Sequence, residues 1–145
     1  MDNIGAQINE LKNRIEKPYS PFIEVDEGWF QIVLDCHKEL EALDPEYKLL
    51  QIKEKFGGLR YYFQPSNLDV WDEMNKVVSK YEEIASRTCE VTGKPGILMK
   101  SIGSWYKTLN PEFAETHMSY AKYKAASEEK GESDDVQPER PPTAG

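Results

Sequence analysis

Apolar residues recur along the chain with two different periods. Ile4, Ile8, Leu11 and Ile15 are spaced four, three and four apart, which lines one face of an amphipathic helix that must end before Pro18. The stripe is narrow and aliphatic, so it predicts either a flap packed on the core or a homo-oligomer seam. Beyond the Pro18 to Pro21 turn, Trp29, Val33, Cys36, Leu40 and Leu43 repeat at helical spacing. They predict a helix over 28–43 with Asp26 as its cap and Asp44-Pro45 as its stop.

The period then changes to two. YKLLQIKEK and LRYYFQ flank Gly57-Gly58, which predicts a hairpin turning on the two glycines. A long helix follows, opened by Ser66 with Asp69 three positions on, and carrying Trp71, Met74, Val78, Tyr81 and Ile84 on one face until near Cys89. Ile97 to Lys100 and Trp105 to Leu109 predict a second hairpin around Gly103-Ser104. Asn110-Pro111 then opens a helix through Phe113, His117 and Tyr120, with asparagine as cap and proline at the first helical position. From Ser127 the segment SEEKGESDDVQPERPPTAG has almost no apolar surface with which to offset the cost of ordering, and disorder is expected there. The organisation is therefore an N-terminal helix over 1–17, one α+β domain over 18–126 and a tail over 127–145. Its element order is α-α-ββ-α-ββ-α with antiparallel pairing.

Length and composition narrow the partners. The 145 residues suit one domain, 39% hydrophobic and 30% charged. No run approaches the roughly 18 apolar residues of a membrane span, and the N-terminus has no charged start followed by an apolar stretch, so a cytoplasmic protein is expected. Cys36 and Cys89 are far apart, and in a reducing compartment each reads as a small buried side chain. The net charge is −8, and residues 127–145 carry six carboxylates against two cations, half of that total. Duplex nucleic acid is a poor partner for such a surface, although a compact basic patch could still hold a small anion.

Such a patch is legible in the first hairpin. A turn on Gly57-Gly58 sets Phe56 opposite Leu59, Lys55 opposite Arg60, Lys53 opposite Tyr62 and Ile52 opposite Phe63. One face is then Leu50, Ile52, Phe56, Leu59, Tyr61 and Phe63, with Glu54 the misfit. The other is Gln51, Lys53, Lys55, Arg60, Tyr62 and Gln64, three cations around one aromatic ring. Arginine forks onto phosphate oxygens and tyrosine offers a stacking surface, so Lys53, Lys55, Arg60 and Tyr62, completed by Trp105 and Lys107, form the candidate site for a small anionic, nucleotide-like ligand. A plain solvated face, on which the cations discourage edge pairing, is the alternative.

Other constellations are weaker. A structural zinc site needs four thiolate or imidazole ligands, and Cys36, Cys89, His37 and His117 are scattered over three helical segments, so no metal or other cofactor is expected. Both histidines fall within helices, with no Ser, Cys or Asp spaced to pair with them as nucleophile and base. Gly57-Gly58 lacks the longer glycine-rich run and the Lys-Ser or Lys-Thr of a phosphate loop.

GWFQIVLDCHKELEALDPEYKLLQIKEKFGGLRYYFQ, the later TCEVTGKPG and the stretch GSWYKTLNPEFA together resemble a group of small phage and prophage proteins. Their hallmarks are a KEKFGGLRFY-type hairpin, a CEVCG-x-PG segment and a W-x-x-TLC-type segment, and the resemblance covers about residues 25–117. It implies a small zinc ribbon built from Cys-x-x-Cys and a later Cys-x-x-His, which fall here on Cys89, Thr92, Asn110 and Phe113. Three of those four cannot ligate zinc as thiolate or imidazole, so the ribbon is degenerate and would keep its shape through packing and the Asn110 cap. The resemblance further implies a cytoplasmic role in an infected bacterial host, as an anti-defence protein that sequesters a nucleotide-derived immune signal.

The expectation is thus a non-enzymatic binding protein for a phosphate-bearing ligand. The alternative is an acidic, immunity-type inhibitor acting on a basic protein partner.

Overall fold

The computed structural model describes residues 3–18, 22–117 and 123–126. Along them run α1 (Ile4–Lys12), β1 (Ile23–Glu24), α2 (Phe30–Leu43), β2 (Lys48–Lys55), β3 (Gly58–Gln64), α3 (Trp71–Ala85), β4 (Ile97–Lys100), β5 (Tyr106–Leu109), α4 (Pro111–His117) and β6 (Lys124–Ala125). This is an α+β fold with two three-stranded sheets, ordered β1-β2-β3 and β5-β4-β6. Pairing is antiparallel except where β1 lies parallel to β2. Strands β1 and β6 have two residues each, too few to leave an alternating pattern in the sequence. The expected disordered tail over 127–145 and the continuation of the last helix to Tyr120 lie outside the described residues. No helix among the described residues is long and apolar enough to cross a membrane.

The larger core sits where α1, α2 and α3 meet β2 and β3, and it centres on Trp29, Val33, Leu40, Leu49, Ile52 and Met74. Ile8, Leu11 and Ile15 belong to it, and the Glu16 amide donates to the Leu49 carbonyl (2.9 Å). Helix α1 is therefore a flap on its own chain. Only Ile4 of the expected oligomer seam stays open, at 37% exposure, so the described fold leaves little of that seam to meet a second copy.

Helix starts differ from expectation in an instructive way. Asp26 makes no capping bond; a 3-10 turn over Glu27–Trp29 leads into α2 instead, and the Trp29 indole donates to the Thr88 carbonyl (2.8 Å). Ser66 does not cap α3 either. Its amide (2.7 Å) and hydroxyl both donate to the buried carboxylate of Asp44, which ties the end of α2 to the end of β3. Asn67 takes the capping role, accepting from the Asp69 amide (2.9 Å) ahead of a 3-10 turn over Leu68–Val70. Helix α3 stops at Ala85, short of Cys89.

A smaller core holds the second sheet, with Cys89, Met99, Leu109 and Ala114 packed by Val91 and Phe113. Asn110 caps α4 as its sequence suggests, accepting from the Phe113 amide (3.0 Å) while its own amide group donates to the Pro95 carbonyl (3.0 Å).

Candidate functional site

The first hairpin does not turn where its glycines suggest. Lys55 pairs with Gly58, so the two turn residues are Phe56 and Gly57, with φ of 57° and 83°. Two positive φ values are what the tight primed turns of hairpins require, because their twist then matches that of the strands. The pairs become Lys53 with Arg60, Ile52 with Tyr61 and Gln51 with Tyr62, and a bulge at Leu50 lets Leu49 meet Phe63. From Leu59 to Tyr62 each β3 residue has moved two places along β2 relative to the expected register, and beyond the bulge Phe63 and Gln64 have moved three. A shift of two preserves the faces, since side chains alternate with period two.

The core face is accordingly Leu49, Ile52, Leu59, Tyr61 and Phe63, with Leu49 in place of Leu50 because of the bulge. Phe56 is corrected from core to turn, where it is 53% exposed. Glu54, the misfit of the pattern, reaches the turn and accepts from the Gly57 amide (2.7 Å). On the far side of the tip the Thr108 hydroxyl donates to the Gly57 carbonyl (2.8 Å). A Cβ on Gly57 would stand 2.6 Å from Leu98 Cδ1, so the tip is pressed onto the second sheet at a point that only glycine fits.

The opposite face brings Lys53, Lys55, Arg60 and Tyr62 together. Lys53 stands directly across from Arg60, and Tyr62 lies two pairs further from the tip, next on the same face. Glu24 of β1 flanks Lys53 on its other side. Arg60 is only 6% exposed, although it lies on the face turned away from the core. Its Nε has no hydrogen-bond partner, and among the described residues no carboxylate pairs with it. Most buried guanidinium groups are fully bonded, because desolvating a cation without compensation is costly.

Two residues assigned to this site from the sequence belong to the second hairpin, with the Lys107 backbone beside the Gly57 tip. Lys107 lies 3.2 Å from an oxygen of Asp26 and donates to the buried carboxylate of Glu90 (3.0 Å), so its charge is already neutralised. Burial alone would lower its pKa, but the two carboxylates outweigh burial and raise it. Trp105 stands at the β4–β5 turn, 73% exposed, with its backbone amide donating to the Ser101 hydroxyl (3.1 Å). Phe56 was missed by sequence reasoning, because Gly57-Gly58 supplied a more conventional turn and hid it within a strand.

A second polar network lies under the core face. The phenols of Tyr47 and Tyr61 share a hydrogen bond (2.7 Å), and His37 Nδ1 bonds the Tyr47 hydroxyl (2.8 Å). Arg14 covers the Tyr47 ring at 4.5 Å and donates to the carbonyls of Pro45 (2.8 Å) and Tyr47 (2.9 Å). Burial holds His37 below its usual value despite Glu41 nearby, and burial raises the pKa of both tyrosines. His37 and the two tyrosines are thus bonded to one another, while Arg14 Nε is buried without a partner.

Cys89 is buried in the turn 89–93. The Thr92 amide donates to its sulfur (3.4 Å), and Gly93 takes φ 81°. Burial pushes the thiol upward, but hydrogen bonds from Thr92 and from the amides of Asn110 and Val91 outweigh it and lower the pKa. Thr92, Asn110 and Phe113 thus gather around Cys89 through hydrogen bonds and packing, and no metal-binding cluster of His, Cys, Asp or Glu occurs among the described residues. The chain matches no protein-family model, no curated protein and no solved structure.

Proposed function

We propose that this protein is a non-enzymatic binding protein whose outward hairpin face captures a small phosphate-bearing, nucleotide-like ligand. The observation that carries the reading is Arg60, a cation largely withdrawn from water, without an anionic partner among the described residues and facing a second cation, Lys53. A phosphate supplies what that arrangement lacks. Its oxygens accept two parallel bonds from a guanidinium, and its charge offsets the repulsion between neighbouring cations. Tyr62, next on the same face, offers the ring on which a base can stack. Capture of this kind includes no bond-making step. Sequestration of a nucleotide-derived immune signal by a phage protein is the role such capture would serve, by the resemblance of the hairpin motif.

Titration calorimetry with AMP, ADP-ribose and cyclic di-AMP tests the reading. Arg60→Lys should weaken binding nearly as much as Arg60→Ala, because an ammonium cannot fork. Tyr62→Ala should cost about 1–3 kcal/mol if a base stacks there. Normal affinity in both variants would remove this face. Absence of binding by every nucleotide would favour the acidic, protein-directed reading, whose mark is binding to a basic protein that weakens steeply with salt.

A further inference from the structure

Phe56 occupies a conformation that L side chains seldom adopt, yet it is more than half exposed. The left-handed region costs a non-glycine residue roughly 1–2 kcal/mol, and glycine or asparagine would fill this position more cheaply. Burial offsets only part of that, since the residue is 53% exposed and lies outside both cores. Its one described ring contact is Lys55, whose ammonium stands 5.6 Å from the ring centroid. Lys55 belongs to the same face as Lys53, Arg60 and Tyr62, so the Phe56 ring lies beside the tip end of that face.

Read from base to tip, the face therefore runs Tyr62, then Arg60 beside Lys53, then Lys55, then Phe56. Two aromatic rings bracket three cations. From Tyr62 to Gly58 the strand advances roughly 13 Å, four residues at a strand's rise, and Phe56 lies beyond that. One base with its phosphates cannot reach both rings. Alternation of stacking surface and cation is the pattern by which single strands are held without sequence readout, bases on rings and phosphates on the charges between. A duplex cannot use it, because its bases are already stacked on each other.

From this row we infer that the ligand is an oligonucleotide of at least two nucleotides, with one base on Tyr62, a second on Phe56 and the linking phosphates on Arg60, Lys53 and Lys55. The inference rests on the phosphate-binding reading above and extends it from a mononucleotide to a chain. The rigid tip is part of the site: Glu54 and Thr108 hold Gly57 from both sides, so Phe56 is positioned before the ligand arrives.

The test measures the affinity of the full chain for AMP, pApA, pApApA and cyclic di-AMP, and for a DNA duplex of matched charge, all at one salt concentration. The expected result is a gain of at least about fivefold from AMP to a two-base ligand, the smallest effect of one added stacked base, with the duplex bound no better than AMP. Phe56→Asn suits the same backbone, so it should melt at or above the wild-type temperature while losing the gain from AMP to the two-base ligand. The linear and cyclic arms then separate the two sources of such a ligand. Equal affinity for AMP and pApA would overturn the chain-length inference and leave the phosphate site standing. A gain that persists in Phe56→Asn would also overturn it, because the second base would lie elsewhere. No binding by any nucleotide would overturn both readings.

Discussion

The roles proposed for Arg60 and Phe56 make them separable from structural residues by experiment. A buried cation without a partner lowers the stability of the free protein, and a neutral side chain of similar length relieves that cost. Arg60→Met is therefore expected to hold or raise the melting temperature of the ligand-free protein while abolishing nucleotide binding; a fall of several degrees would assign Arg60 a structural role. Phe56→Asn should likewise gain about 1 kcal/mol by relieving the left-handed backbone, measured by urea denaturation. His37 gives the opposite behaviour with pH. Burial depresses its pKa below 6.5, so between that value and its folded pKa the unfolded chain binds more protons. Stability is then present above pH 6.5 and is lost as the pH falls through the window. Denaturation at a series of pH values should show this slope, and His37→Phe should flatten it.

At the level of elements, the turn around Cys89 and the start of α4 are held by hydrogen bonds that a single change can remove. Asn110 caps α4 and also bonds Pro95, so Asn110→Ala is expected to cost about 1–2 kcal/mol in thermal or urea denaturation. A chelator should leave the melting temperature unchanged, and stoichiometric zinc in untagged protein would refute that. The helices and both hairpins were legible because their apolar periods are long and clean. The face of the first hairpin was legible although its register was not, since a displacement of two residues returns every side chain to the same side. Other features had no local signature. The bulge that exchanges Leu50 for Leu49, the parallel pairing of Ile23 with Ile52 and the diversion of Asp26 to Lys107 all depend on residues 11 to 81 positions away in sequence. That no carboxylate of the described residues pairs with Arg60 could be seen only in the folded arrangement.

At the scale of the whole molecule, the two sheets are joined by backbone contact as much as by side chains. The Gly28 amide donates to the Glu90 carbonyl (2.7 Å), and a Cβ on Gly28 would lie 2.4 Å from the carbonyl oxygens of Cys89 and Glu90. Gly28→Ala should therefore destabilise the protein by about 1–3 kcal/mol, by forcing apart the junction that also carries Glu90 and Lys107. Calorimetric melting would register it, and an unchanged melting temperature would mean the junction yields freely. The outer edge of the first sheet has a different guardian. Strand β3 ends that sheet, and the Tyr61 amide on its open side donates to the buried carboxylate of Glu82 from α3 (3.2 Å). An open strand edge is a template for another chain, and here one of its free donors is already taken. Colloidal behaviour at high concentration thus depends in part on that carboxylate. Glu82→Ala would expose a pairing edge, and fibrillar or open-ended association would follow where the parent chain stays dispersed.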